Sequence, residues 1–164
     1  MTKRFLKEIS FWILWAAISL ISALAINNYI LVNAQVLTGS MEGTIMAQGR
    51  VFGLRTPLGK PSRGDIIVFE SPIPNEYSEM FIKRIIALGG EEVQIIGGIT
   101  YINGKPLEES YINEPPVLDF GPITVPPNQV FVMGDNRNNS RDSREWGAIP
   151  QGSILGTVYI VINN

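Results

Sequence analysis

The sequence predicts a mainly β protein carried behind a single N-terminal membrane helix, and three observations lead there. No side chain from Ile9 to Met41 is charged. Beyond that stretch, short apolar runs alternate with turns rich in Gly, Pro and Asn. Sixteen Gly and eleven Pro beside 45% hydrophobic residues fit short strands joined by many turns, not disorder. At 164 residues there is room for one domain with a modest core after the N-terminal element.

The uncharged stretch opens with eighteen apolar or small residues, Ile9 to Ile26, and continues through Asn27 and Asn28 to Val32. A helix rises about 1.5 Å per residue, so about 20 residues cross the hydrocarbon core. We therefore expect an anchor helix over 9–32. Lys3, Arg4 and Lys7 precede it, with Glu8 the only nearby acid. That bias puts residues 1–8 in the cytoplasm and residues 33–164 outside. Trp12 and Trp15 suit the inner interface. Ala23-Leu24-Ala25 has the small-x-small form of a cleavage site, so a cleavable leader is the rival reading. The run is long for a leader and passes beyond Ala25, which favours a retained anchor. The flanking charges argue against the buried core helix of a soluble protein.

In the remainder, Asp65–Phe69 reads as a strand entered through the turn Arg63-Gly64. Met80–Ala87 is a second, closed by Leu88-Gly89-Gly90. Val93–Ile96 and Ile99–Ile102 flank Gly97-Gly98, a two-residue hairpin signal, and Asn103-Gly104 makes the next turn. Val130–Met133 and Ile154–Ile162 bring the count to at least six strands. Segments 71–79 and 106–128 are Pro-rich and read as irregular, and no long helix is expected here.

Two absences narrow the chemistry. Without Cys there is no disulfide, thiol nucleophile or thiolate metal site, and without His there is no Ser-His-Asp triad or imidazole ligand. A net charge of -2 gives no reason to expect nucleic acid. An enzyme built on this chain takes its base from Asp, Glu, Lys or Tyr. Ser40 follows Gly39 some ten residues beyond the apolar run; by itself, a Gly-Ser in a loop is ordinary surface. Lys83 is less ordinary. In a strand, residues 81, 83, 85 and 87 share one face, so Lys83 stands between Phe81 and Ile85 while Arg84 turns away. Burial disfavours the ammonium, and catalytic lysines are tuned towards about 7–8 in this way. The competing account is a lysine guarding a sheet edge or snorkelling to water. Last, the segment from Met133 to Gly147 is polar and dense in Asp, Asn, Arg and Ser. Asp142 and Arg144 can pair there, and Ser140 or Ser143 can bond near an active centre. A solvated turn is the plain alternative, and calcium binding a weaker one because arginines interleave the acids.

Together and in order, these segments resemble the bacterial type I signal peptidases. Thr38-Gly39-Ser40-Met41-Glu42-Gly43-Thr44 is similar to that family's Ser-Gly-Ser-Met-x-Pro-Thr segment. Arg63-Gly64-Asp65 and its strand resemble the Arg-Gly-Asp strand, and Lys83-Arg84 leading to Gly89-Gly90 resembles the Lys-Arg strand. Residues 134–147 match the Gly-Asp-Asn-x-x-x-Ser-x-Asp-Ser-Arg-x-Trp-Gly segment in full. The resemblance implies a mostly antiparallel β catalytic domain on the membrane surface, with Ser40 as nucleophile and Lys83 as general base. It implies that Ser140 orients the lysine amine and that Asp142 and Arg144 brace the loop. Thr38 stands where the family often has a serine that helps the Ser40 amide form the oxyanion hole. The implied reaction is acyl transfer with no cofactor or metal. The implied partners are signal peptides of exported preproteins, membrane lipid and the protein export machinery, at the cytoplasmic membrane. The short spacing from Val32 to Ser40 raises the effective concentration of substrates held in the same bilayer.

Two positions depart from the family pattern. Gly43 replaces the usual proline and is expected to leave the segment after Ser40 looser. Thr38 adds a methyl to the oxyanion hole. A specialised or weakly active paralogue, or a non-enzymatic membrane-anchored β module, is the alternative these leave open. The self-cleaving Ser/Lys repressors of the DNA-damage response are a poorer match, being soluble and carrying a DNA-binding domain. Mitochondrial inner-membrane protease subunits are closer cousins.

Overall fold

The computed structural model describes residues 2–55, 60–73 and 80–163, with the backbone alone for 2–6. Most of the expected irregular stretch 71–79 therefore lies outside the described residues. Two compact units emerge, residues 1–31 and 32–164.

The first unit is a helix, α1, running Thr2–Tyr29. Over Lys7–Tyr29 it has a mean hydropathy of 2.2, long and apolar enough to cross a membrane. It stops at Tyr29, short of the expected Val32, because the chain enters a strand at Leu31.

The second unit is built from strands. In chain order they are β1 Leu31–Gln35, β2 Arg50–Arg55, β3 Ile66–Glu70, β4 Met80–Leu88, β5 Glu92–Ile96, β6 Ile99–Ile102, β7 Lys105–Pro106, β8 Phe120–Thr124, β9 Gln129–Met133, β10 Ile149–Pro150 and β11 Ile154–Ile162. A single helical turn, α2, spans Ser143–Trp146. Seven strands form one sheet in the order β1-β2-β11-β3-β4-β9-β10, and four form a second in the order β7-β6-β5-β8. Pairing is antiparallel from β2 through β11, β3 and β4 to β9 and β10, and across the whole second sheet. All six strands expected from the sequence are present. The chain adds β1, β2, β7, β8 and β10; β7 and β8 fall within 106–128 and its border, so that segment is not wholly irregular.

Strand β4 organises the unit. It lies between β3 and β9, with Lys83 opposite Ile67 and Arg84 opposite both Ile66 and Met133. Lys83 is almost wholly buried, so it neither guards a sheet edge nor snorkels to water. Phe81 and Ile85 belong to one apolar cluster with Ile67, Phe69 and Val132, as alternation requires. The alternation then breaks. The register with β9 shifts between Ile85 and Ala87, so Ile86 and Ala87 both join a second cluster with Val93, Ile95 and Phe131. That cluster packs the two sheets together. A third, around Val36, Met41, Ile45, Val68 and Ile82, fills the space beneath the segment holding Ser40.

Gly43 is not the loose point expected of it. Glu42 has φ -54° and ψ 141°, Gly43 has φ 102°, and the Thr44 amide donates to the Met41 carbonyl at 3.0 Å. These are the angles of a type II turn, whose third residue needs a positive φ and hence glycine. Proline, with φ near -65°, cannot adopt that conformation. Gly43→Pro, which restores the residue usual in the resembled family, is therefore expected to destabilise the fold. A loss above about 1 kcal/mol should appear as a lower urea midpoint. An equal or higher midpoint would show that the turn is not held as described.

Candidate active site

Ser40 sits in a short 3-10 turn, Gly39–Met41, just after β1. The fully buried Met41 and Ile45 pin the segment into the core. Ser40 itself is buried, and across from it β4 delivers Lys83, whose exposure is only 2%. Lys83 Nζ lies 2.6 Å from Ser40 Oγ. The Thr38 hydroxyl donates to the same oxygen at 3.3 Å. The Phe81 ring is centred 5.6 Å from the amine and packs between Phe69 and Trp146. In this apolar setting, burial pulls the Lys83 pKa down from 10.5 to about 8, against the attraction of Asp142 and Asp135 and with help from Arg144.

Both of those carboxylates are bound elsewhere. Asp135 is fully buried and accepts from Arg84 Nε at 2.8 Å, Arg84 Nη2 at 2.6 Å and the Thr44 hydroxyl at 2.6 Å. Asp142 accepts from Arg144 Nε and Nη2, each at 2.8 Å, and from the Gly134 amide at 3.0 Å. It also caps α2 by accepting from the Arg144 amide. Paired bonds from a planar guanidinium hold a carboxylate in both distance and orientation.

The Ser140 hydroxyl donates to Asp142 Oδ2 at 2.8 Å, while the Lys83 amine bonds Ser40. The two groups meet around Gly134. A Cβ on that residue would overlap both Ser140 Oγ and the Ser40 carbonyl oxygen, so the loop closes on the Ser40 turn only with glycine there. Asn136 completes the seam, its amide donating to the Ser40 carbonyl at 3.1 Å and its side chain to the Gly39 carbonyl at 3.0 Å.

The structure thus gathers Thr38, Ser40 and Lys83 into one hydrogen-bonded group, and Ser140, Asp142 and Arg144 into a second beside it. Sequence reasoning missed Arg84, Asp135, Asn136 and Thr44. Arg84 was read only as facing away from Lys83; its actual partner is a buried acid 51 positions along the chain. Among the described residues no group of three or more His, Cys, Asp or Glu side chains is placed to hold a metal.

A groove of about 530 Å³ runs up to Ser40 and Lys83, walled by residues 34–38 on one side and 80–83 on the other. Both walls are extended chain, and Leu37 and Met80 stand exposed at its rim.

Comparison with known proteins gives this arrangement a family. The sequence profile of the family described as "Signal peptidase, peptidase S26" matches residues 9–163. A probable signal peptidase I-2 of Synechocystis sp. is 38% identical over 147 residues, 87% of this chain and 67% of its own. Signal peptidase I S of Bacillus subtilis is 38% identical over 169 residues, 94% of this chain and 89% of its own. The crystal structure of a signal peptidase I from Enterococcus faecalis superposes with a TM-score of 0.54 at 37% identity, covering 62% of this chain and 98% of that one. The profile spans nearly the whole chain, relatives over most of its length agree with it, and the chain belongs to the signal peptidase family, peptidase S26.

Proposed function

We propose that the chain is a membrane-bound serine endopeptidase that removes signal peptides from exported preproteins after small-x-small sites, through a Ser40–Lys83 dyad. The observation that carries this reading is the 2.6 Å contact between Ser40 Oγ and a buried Lys83 amine with a pKa of about 8. A neutral amine at that distance accepts the serine proton as Oγ bonds to the scissile carbonyl carbon. The oxyanion so formed is held by the Ser40 amide and the Thr38 hydroxyl. As the C–N bond breaks, the Lys83 ammonium returns its proton to the departing amine. Water then attacks the ester, gives its proton to Lys83, and Ser40 leaves with that proton restored. No cofactor enters the scheme.

The supporting roles follow from the hydrogen bonds. The bonds to Asp142 support a role for Asp142 and Arg144 in holding the loop, and we infer that Ser140, which donates to Asp142, orients the lysine amine. The groove between 34–38 and 80–83 takes an extended peptide, whose backbone lies along the two walls while small side chains fill its floor. Residues 1–8 lie in the cytoplasm, the helix from residue 9 to Tyr29 anchors the protein in the cytoplasmic membrane, and the β unit that follows forms the catalytic domain outside. The partners are the signal peptides themselves, lipid and the protein export machinery.

Purified, detergent-solubilised enzyme is expected to cut a preprotein bearing an Ala-x-Ala site after the second alanine. Ser40→Ala and Lys83→Ala should each lose that cut, as judged by sequencing the new N-terminus. A Ser40→Ala enzyme as fast as wild type would end the dyad reading. The pH profile makes a separate check. Lys83 must be neutral to act, so kcat/KM should rise with pH to a plateau, with a midpoint near 8. Below the midpoint each pH unit should cost about tenfold. A rate already flat from pH 6 upward would exclude a lysine of that pKa as the base.

A further inference from the structure

The segment from Glu109 to Asn113 has no part in the scheme above, yet it touches three separate pieces of the candidate centre. It follows β7 of the second sheet. Glu109 accepts from both terminal nitrogens of Arg137, at 2.7 and 2.6 Å. The pair is almost wholly buried, with side-chain exposures of 0% for Arg137 and 5% for Glu109. Burial works to raise the Glu109 pKa, but the bonds from Arg137 outweigh it and keep the carboxyl below its usual range, so the pair stays ionised. Arg137 in turn donates Nε to the Gly134 carbonyl at 3.1 Å, and its own carbonyl accepts from Arg144 Nη2 at 2.7 Å. Both ends of the turn that offers Asn136 to Ser40 are thus tied to one guanidinium-bearing residue.

Tyr111 makes the second contact. The Arg84 guanidinium, which holds Asp135, lies 4.0 Å from the centre of its ring. Its hydroxyl donates to Glu109 at 2.9 Å, linking the first contact to the second. Asn113 makes the third. Its side-chain amide sits against the turn behind Ser40, where a Cβ on Gly43 would come within 2.9 Å of Asn113 Nδ2.

We propose that residues 109–113 are a positioning strap, which reaches from the second sheet across Arg137, Arg84 and the Gly43 turn and so holds Ser40 and Lys83 at reacting distance. The inference rests on the Ser40–Lys83 reading and deepens it. No strap residue lines the groove between 34–38 and 80–83. Loosening the strap therefore acts on the chemical step rather than on substrate binding. A displacement of about 1 Å in such a pair costs on the order of 10²-fold in rate.

The test uses the full-length enzyme in detergent, with Glu109→Gln, Glu109→Asp, Tyr111→Leu and Tyr111→Phe. Glu109→Gln and Tyr111→Leu should lower kcat by about 10- to 10²-fold with KM within about twofold of wild type. Glu109→Asp and Tyr111→Phe, which keep the charge and the ring, should lose less. The rising limb of the pH profile should also move above its wild-type midpoint, since a loosened loop admits water to an amine otherwise faced by Asp135, Asp142 and Arg144. Normal kcat per folded molecule and an unmoved limb, with only a lower melting temperature, would reduce the strap to packing and overturn the proposal. If Glu109→Gln does not fold, the comparison of Tyr111→Leu with Tyr111→Phe decides, and equal kcat in the two refutes the ring contact. A wild type without Ser40-dependent cleavage defeats the underlying reading alone. The strap is then judged by NMR titration of the Lys83 amine, and a midpoint identical in wild type and variants rejects it.

Discussion

Everything around the site answers one constraint: an amine has to be buried without being given a carboxylate of its own. Desolvation pushes the Lys83 ammonium towards neutrality, and a carboxylate in direct contact would reverse that. Two acids stand close enough to be felt, Asp135 and Asp142, and both are fully or almost fully buried. Each is bound by its own arginine, Asp135 by Arg84 and Asp142 by Arg144. Among the described residues neither forms a salt bridge with Lys83, and the balance settles near 8 rather than near 10.5. Neighbouring residues divide the labour, since β4 supplies the amine from Lys83 and, on its other face, the guanidinium that keeps Asp135 occupied.

The framework makes that division stable. A buried ion pair is costly to assemble and costlier to break on one side, so the arginines and acids fix each other's positions strongly. They bind backbone as well, through Gly64 for Arg84 and the Arg137 carbonyl for Arg144. The loop from Gly134 to Trp146 is therefore a set of short-range constraints anchored on a few buried charges rather than a solvated turn. The apolar cluster between the sheets keeps β9, from which the loop emerges, in register with β4.

How much of this could be read from the residues depended on range. Strands with continuous apolar runs, such as Val130–Met133, were legible because burial on both faces leaves an unbroken pattern. β2 was not, since Arg50 and Arg55 bracket it and Gly53 interrupts it. β8 was hidden by Gly121-Pro122, which reads as a turn. β1 was absorbed into the apolar run of the helix because nothing charged separates them. The positions of Ser40, Lys83 and the 134–147 loop were visible through motif resemblance, and Lys83 also through its apolar strand face. The pairing of Arg84 with Asp135 and of Arg137 with Glu109 was out of reach. Periodicity reports which face a residue takes, but it carries no information about which distant charge waits there.

The central placement of β4 has a consequence for how such a protein can change. Lys83 pairs with Ile67 of β3, and the next residue, Arg84, begins the ladder with β9, so its backbone cannot shift without disturbing both pairings. The opposite wall of the groove, residues 34–38, is under less restraint, for β1 lies at the border of its sheet and Leu37 is open to solvent. If that groove takes the substrate as proposed, mutations there alter what it accepts while leaving the Ser40–Lys83 contact where it was. On the proposed reading, the architecture separates an invariant reaction from an adjustable appetite, and cleavage preference can drift without catalysis being evolved anew.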